Sequence, residues 1–418
     1  MNNRTHIGRA IKGDVQRRLR INNDFTTSEE KIDILKGNTL FMRILWLAHR
    51  DPMNPKSGGA ERTIFEVGRR LVAEGNEVIL VTAGWKGCNV RGNVNGMNVI
   101  RFGNSFTLHL LLPLFLIAQR FDVIINDLGH AVPWPSASFL SKNNIVFFRH
   151  LHARSLPGQV NPVLAKFITA MERSYPVVYR GKVFVTESVT SIDDLVGLGI
   201  DRSMIVKIPP GVDSLIFHPS EKTSHASMVY FGGMRRYKRP EECIYVAENL
   251  KEKVPDLKLY IVGEGPELGD LFNLVKTRRI DNYVSFLGRI DYSELGRRVA
   301  SSWLNIHSSV TEGWGYSILE ASSAGTPTVA YEVPGVVETI ENGVNGLKVK
   351  DGDREALTEA AYKILMNPKE LWSSSVNFAK RYSWETSIHS TNLPLFHINR
   401  AFGCFWESLD ISHMAAAD

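Results

Sequence analysis

Leu304-Asn305-Ile306-His307-Ser308-Ser309, followed after Val310 by Thr311-Glu312-Gly313-Trp314-Gly315-Tyr316-Ser317-Ile318-Leu319-Glu320, decides how this chain folds. An apolar strand over 304–307 runs into a glycine-rich turn, and the turn into a helix. A short, continuous apolar run fits a strand buried on both faces, as in a parallel sheet covered by helices. The glycines free backbone N–H groups at a helix start, which suits a phosphate. Glu312 lies just before the turn and Glu320 about one turn into the helix. Both carboxylates can face one cleft and hold different parts of one ligand. Vicinal hydroxyls of a sugar or a ribose are natural donors to them. The helix dipole alone accounts for Glu312 but not for Glu320, which sits in an otherwise apolar helix.

Outward from this unit, strands and helices alternate along the chain. Buried strands are expected at 42–49, 77–82, 98–102, 122–126, 145–148 and 183–186, with helices at 61–74, 108–120, 162–175 and 191–197. Residues 205–219 carry four turn-forming punctuators and read as an interdomain connection. A second series follows, with strands at 228–232, 258–263, 284–287, 304–307 and 327–331. Its helices are expected at 240–251, 267–276, 293–300, 316–324, 336–341 and 354–366. The fold class is therefore α/β, two Rossmann-like doubly wound parallel-sheet domains facing a cleft at the carboxyl ends of their strands. The expected divisions are a flexible extension over 1–41, a first domain over 42–207 and a second over 208–384. Residues 385–418 are expected to pack back on the first domain.

Two further loops suit an anion. Ser57-Gly58-Gly59-Ala60-Glu61 precedes a helix, where glycines permit close backbone approach. It is not a G-x-G-x-x-G fingerprint, and no acidic residue ends the second strand, which argues against a dinucleotide oxidoreductase. Phe231-Gly232-Gly233-Met234-Arg235-Arg236-Tyr237-Lys238-Arg239-Pro240 sets four cations at the cleft side of a sheet, enough to neutralise a diphosphate. Either loop alone reads as ordinary surface. Three phosphate-suited loops on one cleft point to a nucleotide.

Composition narrows the classes. The 418 residues exceed one domain of about 150, and 44% apolar with 22% charged residues describe a globular protein. No apolar run reaches membrane-spanning length; the longest, 108–118, fits a buried helix. Cys88, Cys243 and Cys404 are too few and too scattered for a disulfide framework or zinc site, which suits the cytoplasm. Lys and Arg against Asp and Glu number 8 to 5 in 1–41, 19 to 12 in 42–210 and 22 to 27 in 211–418. The basic first half favours an anionic acceptor or salt-sensitive peripheral contact with an anionic membrane. No nucleic-acid module is visible.

The motifs occur in a specific order: Gly58-Gly59-Ala60-Glu61, Pro210-Gly211-Val212-Asp213, the basic loop with Lys238, Val262-Gly263-Glu264-Gly265-Pro266, Phe286-Leu287-Gly288, and the pair Glu312 and Glu320. Over about 42–385 the chain resembles the retaining glycosyltransferases of family 4, with the GT-B fold. The resemblance implies a nucleotide diphosphate sugar donor, no metal and no cofactor. Glu312 would then hold hydroxyls of the transferred sugar, Glu320 the ribose and Lys238 the diphosphate. Backbone around Gly313, Trp314, Gly315 and Tyr316 would meet phosphate and sugar. Gly263, Glu264, Leu287 and Gly288 would flank the base, and Gly58 and Gly59 would close on the diphosphate. Many relatives carry Arg where this chain has Gly233, so Arg235 or Arg236 is expected to supply that charge. Pro210 replaces a frequent Asn.

The resemblance places the acceptor in the first half. A histidine reaching the sugar is either His150 or His152, with Arg149 and Arg154 beside them and Asp127 and His130 on the acceptor side. Asp351-Gly352-Asp353 has D-x-D spacing but reads as a surface turn, and no metal is assigned. The implied activity is transfer of a hexose-type sugar to an acceptor hydroxyl in glycan, glycolipid or polysaccharide assembly, in the cytoplasm or at its membrane face. A nucleotide-sugar epimerase of the same fold and a noncatalytic sugar-nucleotide binding protein are the alternatives.

Overall fold

The computed structural model describes residues 41–156 and 160–387. The expectations for 1–40 and for 388–418 lie outside the described residues.

The first half is β1 (Arg43–Leu47), α1 (Gly59–Ala73), β2 (Glu77–Ala83), β3 (Arg91–Val94), β4 (Met97–Phe102), α2 (Ser105–Ala118), β5 (Val123–Leu128), α3 (Pro135–Leu140), β6 (Asn144–Phe148), α4 (Pro162–Arg173), α5 (Tyr175–Val178), β7 (Val183–Thr186), α6 (Val189–Gly197) and β8 (Ile205–Lys207). The second half is β9 (Ser227–Phe231), α7 (Glu241–Leu250), β10 (Lys258–Val262), α8 (Leu268–Thr277), β11 (Val284–Gly288), α9 (Tyr292–Ser301), β12 (Leu304–His307), α10 (Tyr316–Ser323), β13 (Thr328–Tyr331), β14 (Gly346–Val349), α11 (Arg354–Met366) and α12 (Trp372–Ala379).

Each half is one sheet. The first has order β3-β4-β2-β1-β5-β6-β7-β8 and the second β11-β10-β9-β12-β13-β14. All neighbours are parallel except β3, which pairs antiparallel with β4. The central strands are apolar at successive positions because both faces are covered. Ile44 and Trp46 join a core with Ile64, Val67 and Leu71 of α1, while Leu45 and Leu47 join Leu108, Leu112 and Leu116 of α2 on the other face. Strand order reverses between β1 and β5 in one sheet and between β9 and β12 in the other. Loops leaving these strands splay apart there and leave room for a ligand.

Several expectations need correcting. Residues 205–207 are not linker but β8, paired with β7. Residues 336–341 form successive turns instead of a helix, entered through Gly335 at φ +78°. Helix α2 is not a buried helix: Leu108, Leu112 and Leu116 face the sheet, but Phe106, Leu110, Leu114 and Ile117 are exposed. Trp384 is buried in the α1-side core of the first half, and Glu385 pairs with Arg70 of α1 at 3.1 Å.

Candidate active site

The loops after β9 and β12 build one wall of the cleft. Glu312 follows β12, and its Oε1 accepts from Lys238 Nζ and from Ser309 Oγ at 2.6 Å. His307 Nε2 lies 3.3 Å from the same oxygen. Burial opposes ionisation of Glu312, but Lys238 and His307 outweigh it and hold the carboxyl well below its usual range. The same pairing raises Lys238 against the burial that would lower it. A second loop braces this carboxylate: Glu312 N donates to Pro334 O at 3.0 Å. Gly335 packs so closely that a Cβ there would stand 2.2 Å from Glu312 O.

Glu320 sits on α10, facing the other end of the same wall, and accepts a hydrogen bond from Tyr292 Oη. Burial pushes its carboxyl up to about 7, against the pull of Tyr292 and Arg62. Arg62 comes from α1 of the first half. Its guanidinium stands 4.3 Å from the Tyr292 ring centre and its Nη2 lies 3.3 Å from Asp213. Both halves thus contribute to the surroundings of Glu320.

The two helix starts meet. Gly59 opens α1 and Tyr316 opens α10; a Cβ on Gly59 would lie 3.1 Å from the Tyr316 ring. The glycine does permit a close approach, and the partner it makes room for is Tyr316. Gly58 N donates to Glu61 Oε2 at 2.7 Å. The unpaired N–H groups of two helices therefore face one region of the cleft, where they favour negative charge.

Across from Glu312, His150 senses both Glu312 and Lys238. Burial, with His152 next, lowers His150 to about 3 and keeps the imidazole neutral. Of the two candidate histidines, His152 is engaged elsewhere: Nδ1 lies 3.3 Å from Glu172 Oε1 and Nε2 3.3 Å from Gly129 O. His130 is also lowered to about 3, first by burial and then by Arg50, and packs against His49 in a tilted pair with ring centres 4.6 Å apart.

Three acceptor-side candidates are engaged in ion pairs within the first half. Asp127 and Arg149 are buried and paired, with Arg149 Nη2 to Asp127 Oδ2 at 2.6 Å and Nη1 to Glu187 Oε1 at 2.5 Å. They brace the ends of β5 and β6. Arg154 is tied to Asp194 at 2.5 Å. In the basic loop, Arg239 turns away from the cleft, donating to Ser308 O at 2.7 Å and Ser309 O at 3.0 Å. Arg235 and Arg236 are exposed. A Cβ on Gly233 would lie 3.7 Å from Arg235 Nε, so Arg235 folds over Gly233.

The remaining expected residues are placed by backbone. Gly263 N donates to Gly288 O at 2.8 Å and Met234 N to Glu264 O at 2.9 Å, which joins the loops after β9, β10 and β11. Leu287 is half-buried beside them. Gly313 lies against the first half, with Arg149 O 3.0 Å from where its Cβ would be. Gly315, at φ +83°, is the N-cap of α10. The Trp314 side chain is core, edge-on to Tyr382 at 5.3 Å between ring centres. Asp351 pairs with Arg239 and Asp353 caps α11 through Ala356 N at 2.9 Å.

Sequence reasoning missed His307, Ser309, Tyr292, Arg62 and Glu187. A signal existed for the first two: they alternate with Ser308 at the end of β12, on the pleat face that leads to Glu312. Tyr292 and Arg62 lie far from Glu320 in sequence and carried no local mark.

Comparison with known proteins matches the family described as "Glycosyltransferase Family 4" over residues 57–214 and that described as "Glycosyl transferases group 1" over 214–381. N-acetyl-alpha-D-glucosaminyl L-malate synthase of Bacillus anthracis is 24% identical, over 74% of this chain and 85% of its own. The phosphatidylinositol N-acetylglucosaminyltransferase GPI3 subunit of Saccharomyces cerevisiae is 22% identical, over 79% and 78%. Among solved structures, sucrose-phosphate synthase of Thermosynechococcus elongatus superposes with a TM-score of 0.72 at 18% identity, covering 86% of this chain and 99% of that one. Anabaena HepE in complex with UDP and glucose gives 0.68 at 18%, covering 85% and 99%. These structures share the GT-B fold with this chain.

Proposed function

The chain belongs to family 4 of the glycosyltransferases, and from that premise we propose that it moves a hexose-type sugar from a nucleotide diphosphate sugar to an acceptor hydroxyl with retention of configuration and without a metal. The observation that carries the reading is Glu312, held ionised beside Lys238 and faced by a neutral His150.

Glu312 accepts from hydroxyls of the transferred sugar, and His150 hydrogen-bonds that sugar from the other half. Being neutral, His150 adds no like charge next to Lys238. Sugar hydroxyls donating to Glu312 release Lys238 toward the diphosphate. Glu320 accepts from the ribose, Arg235 and Arg236 face the diphosphate, and the loops around Gly263 and Gly288 flank the base. The bond from the anomeric carbon to the phosphate oxygen breaks, and that to the acceptor oxygen forms on the same face. The acceptor proton passes to the leaving phosphate oxygen, whose growing charge is met by Lys238 and the starts of α1 and α10. Products are the glycoside and a nucleoside diphosphate.

The basic first half holds the acceptor, which is lipid- or phosphate-linked and reached at the cytoplasmic face of a membrane. Among the described residues no helix is long and apolar enough to cross a membrane. The proposed domain division runs at 207/208, with the chain from 385 onward belonging to the first half.

The test is a panel of nucleotide sugars and acceptors, read by released nucleoside diphosphate and by the anomeric configuration of the product. Release that depends on both donor and acceptor, with retention, is expected. Sugar isomerisation without an acceptor would overturn the reading in favour of an epimerase, and binding without turnover in favour of a binding protein.

A further inference from the structure

Helix α4 has twelve residues and buries only Glu172. Its sequence is nevertheless two-sided: Val163, Leu164 and Phe167 are exposed on one side, and Lys166 and Arg173 line an open groove with Thr169 on the other. A helix that projects from its domain with an apolar side toward solvent and cations beside it has the pattern of one that lies in a membrane interface.

The pattern continues along the domain. Helices α2, α3 and α5 cover one face of the first sheet through a shared core; α2 packs beside α3, α3 beside α5, and α5 beside α4. On their outer side stand Phe106, Leu110, Leu114 and Ile117 of α2, at 73%, 61%, 67% and 73% exposure. Phe139 of α3 and Val177 of α5 follow at 74% and 73%. Single exposed apolar side chains are ordinary, but a row of them on adjoining helices of one layer marks a contact surface.

The charges around this surface choose the occupant. Arg120, Lys142, Lys166, Arg173 and Arg180 are exposed on these helices and their connections, and among the described residues 105–182 Asp122 is the one exposed acid. An apolar centre with a cationic surround complements anionic headgroups over hydrocarbon. The same α2 reaches the acceptor side of the cleft: its His109 Nε2 lies 3.1 Å from His49 Nε2, and both rings pack on Trp134.

We infer that the outer side of α2, α3, α4 and α5 seats on an anionic phospholipid bilayer, with apolar side chains entering it. This rests on the proposed lipid-linked acceptor, and it places that acceptor's lipid beside the cleft. It also changes the character of the contact expected from sequence. Charge alone gives binding that salt abolishes, whereas the exposed phenylalanines and leucines give a part that salt leaves in place.

The full chain is sedimented with phosphatidylglycerol/phosphatidylcholine vesicles and with pure phosphatidylcholine vesicles, at low and high salt. Binding to both is expected, stronger on anionic vesicles, with a residue that survives high salt. The double variant Leu114→Glu/Ile117→Glu, and separately Phe167→Glu, should each reduce partitioning by about tenfold or more, since each removes buried apolar area and adds a charge. Circular dichroism and nucleotide-dependent thermal stabilisation should stay at their original values. Lys166→Gln/Arg173→Gln should remove the preference for anionic vesicles. Equal binding by the glutamate variants would overturn the docking surface. So would its occupation by a second copy, seen as self-association lost in Leu114→Glu, or by residues 388–418, seen as vesicle binding that appears only after their removal. Vesicle binding without any response to nucleotide sugars would keep the surface and reject the transferase reading; the reverse would reject only the surface.

Discussion

Tyr316, the first residue of α10, donates its hydroxyl to Glu187 Oε1 at 2.9 Å, across the cleft from the end of β7. The tyrosine is fixed by burial and by this carboxylate, which together push its hydroxyl well above the usual range. One donor thus links the helix that carries Glu320 to the half that carries His150. Tyr316→Phe removes that donor and leaves Glu187 to Arg149 and Thr63. The expected result is a loss of about 0.5–1.5 kcal/mol in denaturant unfolding, together with a larger radius of gyration of the free protein in X-ray scattering. An unchanged radius would show that other cross-cleft contacts suffice.

Glu320 gives a pH signature. Its carboxyl is raised to about 7, against about 4.3 in an unfolded chain. Between those values the folded state holds the proton and the unfolded state does not, so this group makes stability fall as pH rises through the window. Ribose hydroxyls donate best to the ionised form, so nucleotide affinity should rise with pH toward and past 7. Glu320→Gln should abolish the pH dependence of calorimetric affinity, and Glu320→Ala should weaken binding by roughly 1.5–3 kcal/mol.

Glu312→Gln separates binding from turnover. The carboxylate faces Lys238, Ser309 and His307, at the end of the cleft proposed to hold the sugar and away from Glu320. Affinity for the bare nucleoside diphosphate should persist, while kcat falls by on the order of a hundredfold or more. An equal loss of nucleotide affinity would contradict this division of roles.

Arg149→Met leaves Asp127 and Glu187 buried without their cation. A loss of about 3–5 kcal/mol in unfolding is expected. A binding role would instead leave stability intact and change the acceptor KM.

Excess chelator should leave turnover unchanged, because Asp351 is tied to Arg239 and Asp353 caps a helix. Loss of activity that manganese or magnesium restores would reject the metal-free mechanism.

What could be read from sequence was local. The strand at Leu304–His307 and the helix from Tyr316 follow from apolar runs and glycines next to one another in the chain. The β3–β4 hairpin was equally available in Val94-Asn95-Gly96-Met97, since Asn95 and Gly96 both adopt positive φ. Pairings across long separations were hidden. That Asp127 and Arg149 are buried together with Glu187 carried no local mark. Gly59 signals a close approach, but nothing near it names Tyr316. The exposed side of α2 was also invisible, because a helix apolar on all sides does not say which side the sheet takes.

Glu172 is the one buried residue of α4, and its carboxylate accepts from the backbone N–H of His152 at 2.5 Å and of Ala153 at 3.2 Å. Helix α4, on the surface proposed to meet lipid, is therefore tethered through one side chain to the segment bearing His150. The proposed resting surface and the proposed sugar-binding imidazole thus share one carboxylate as their link.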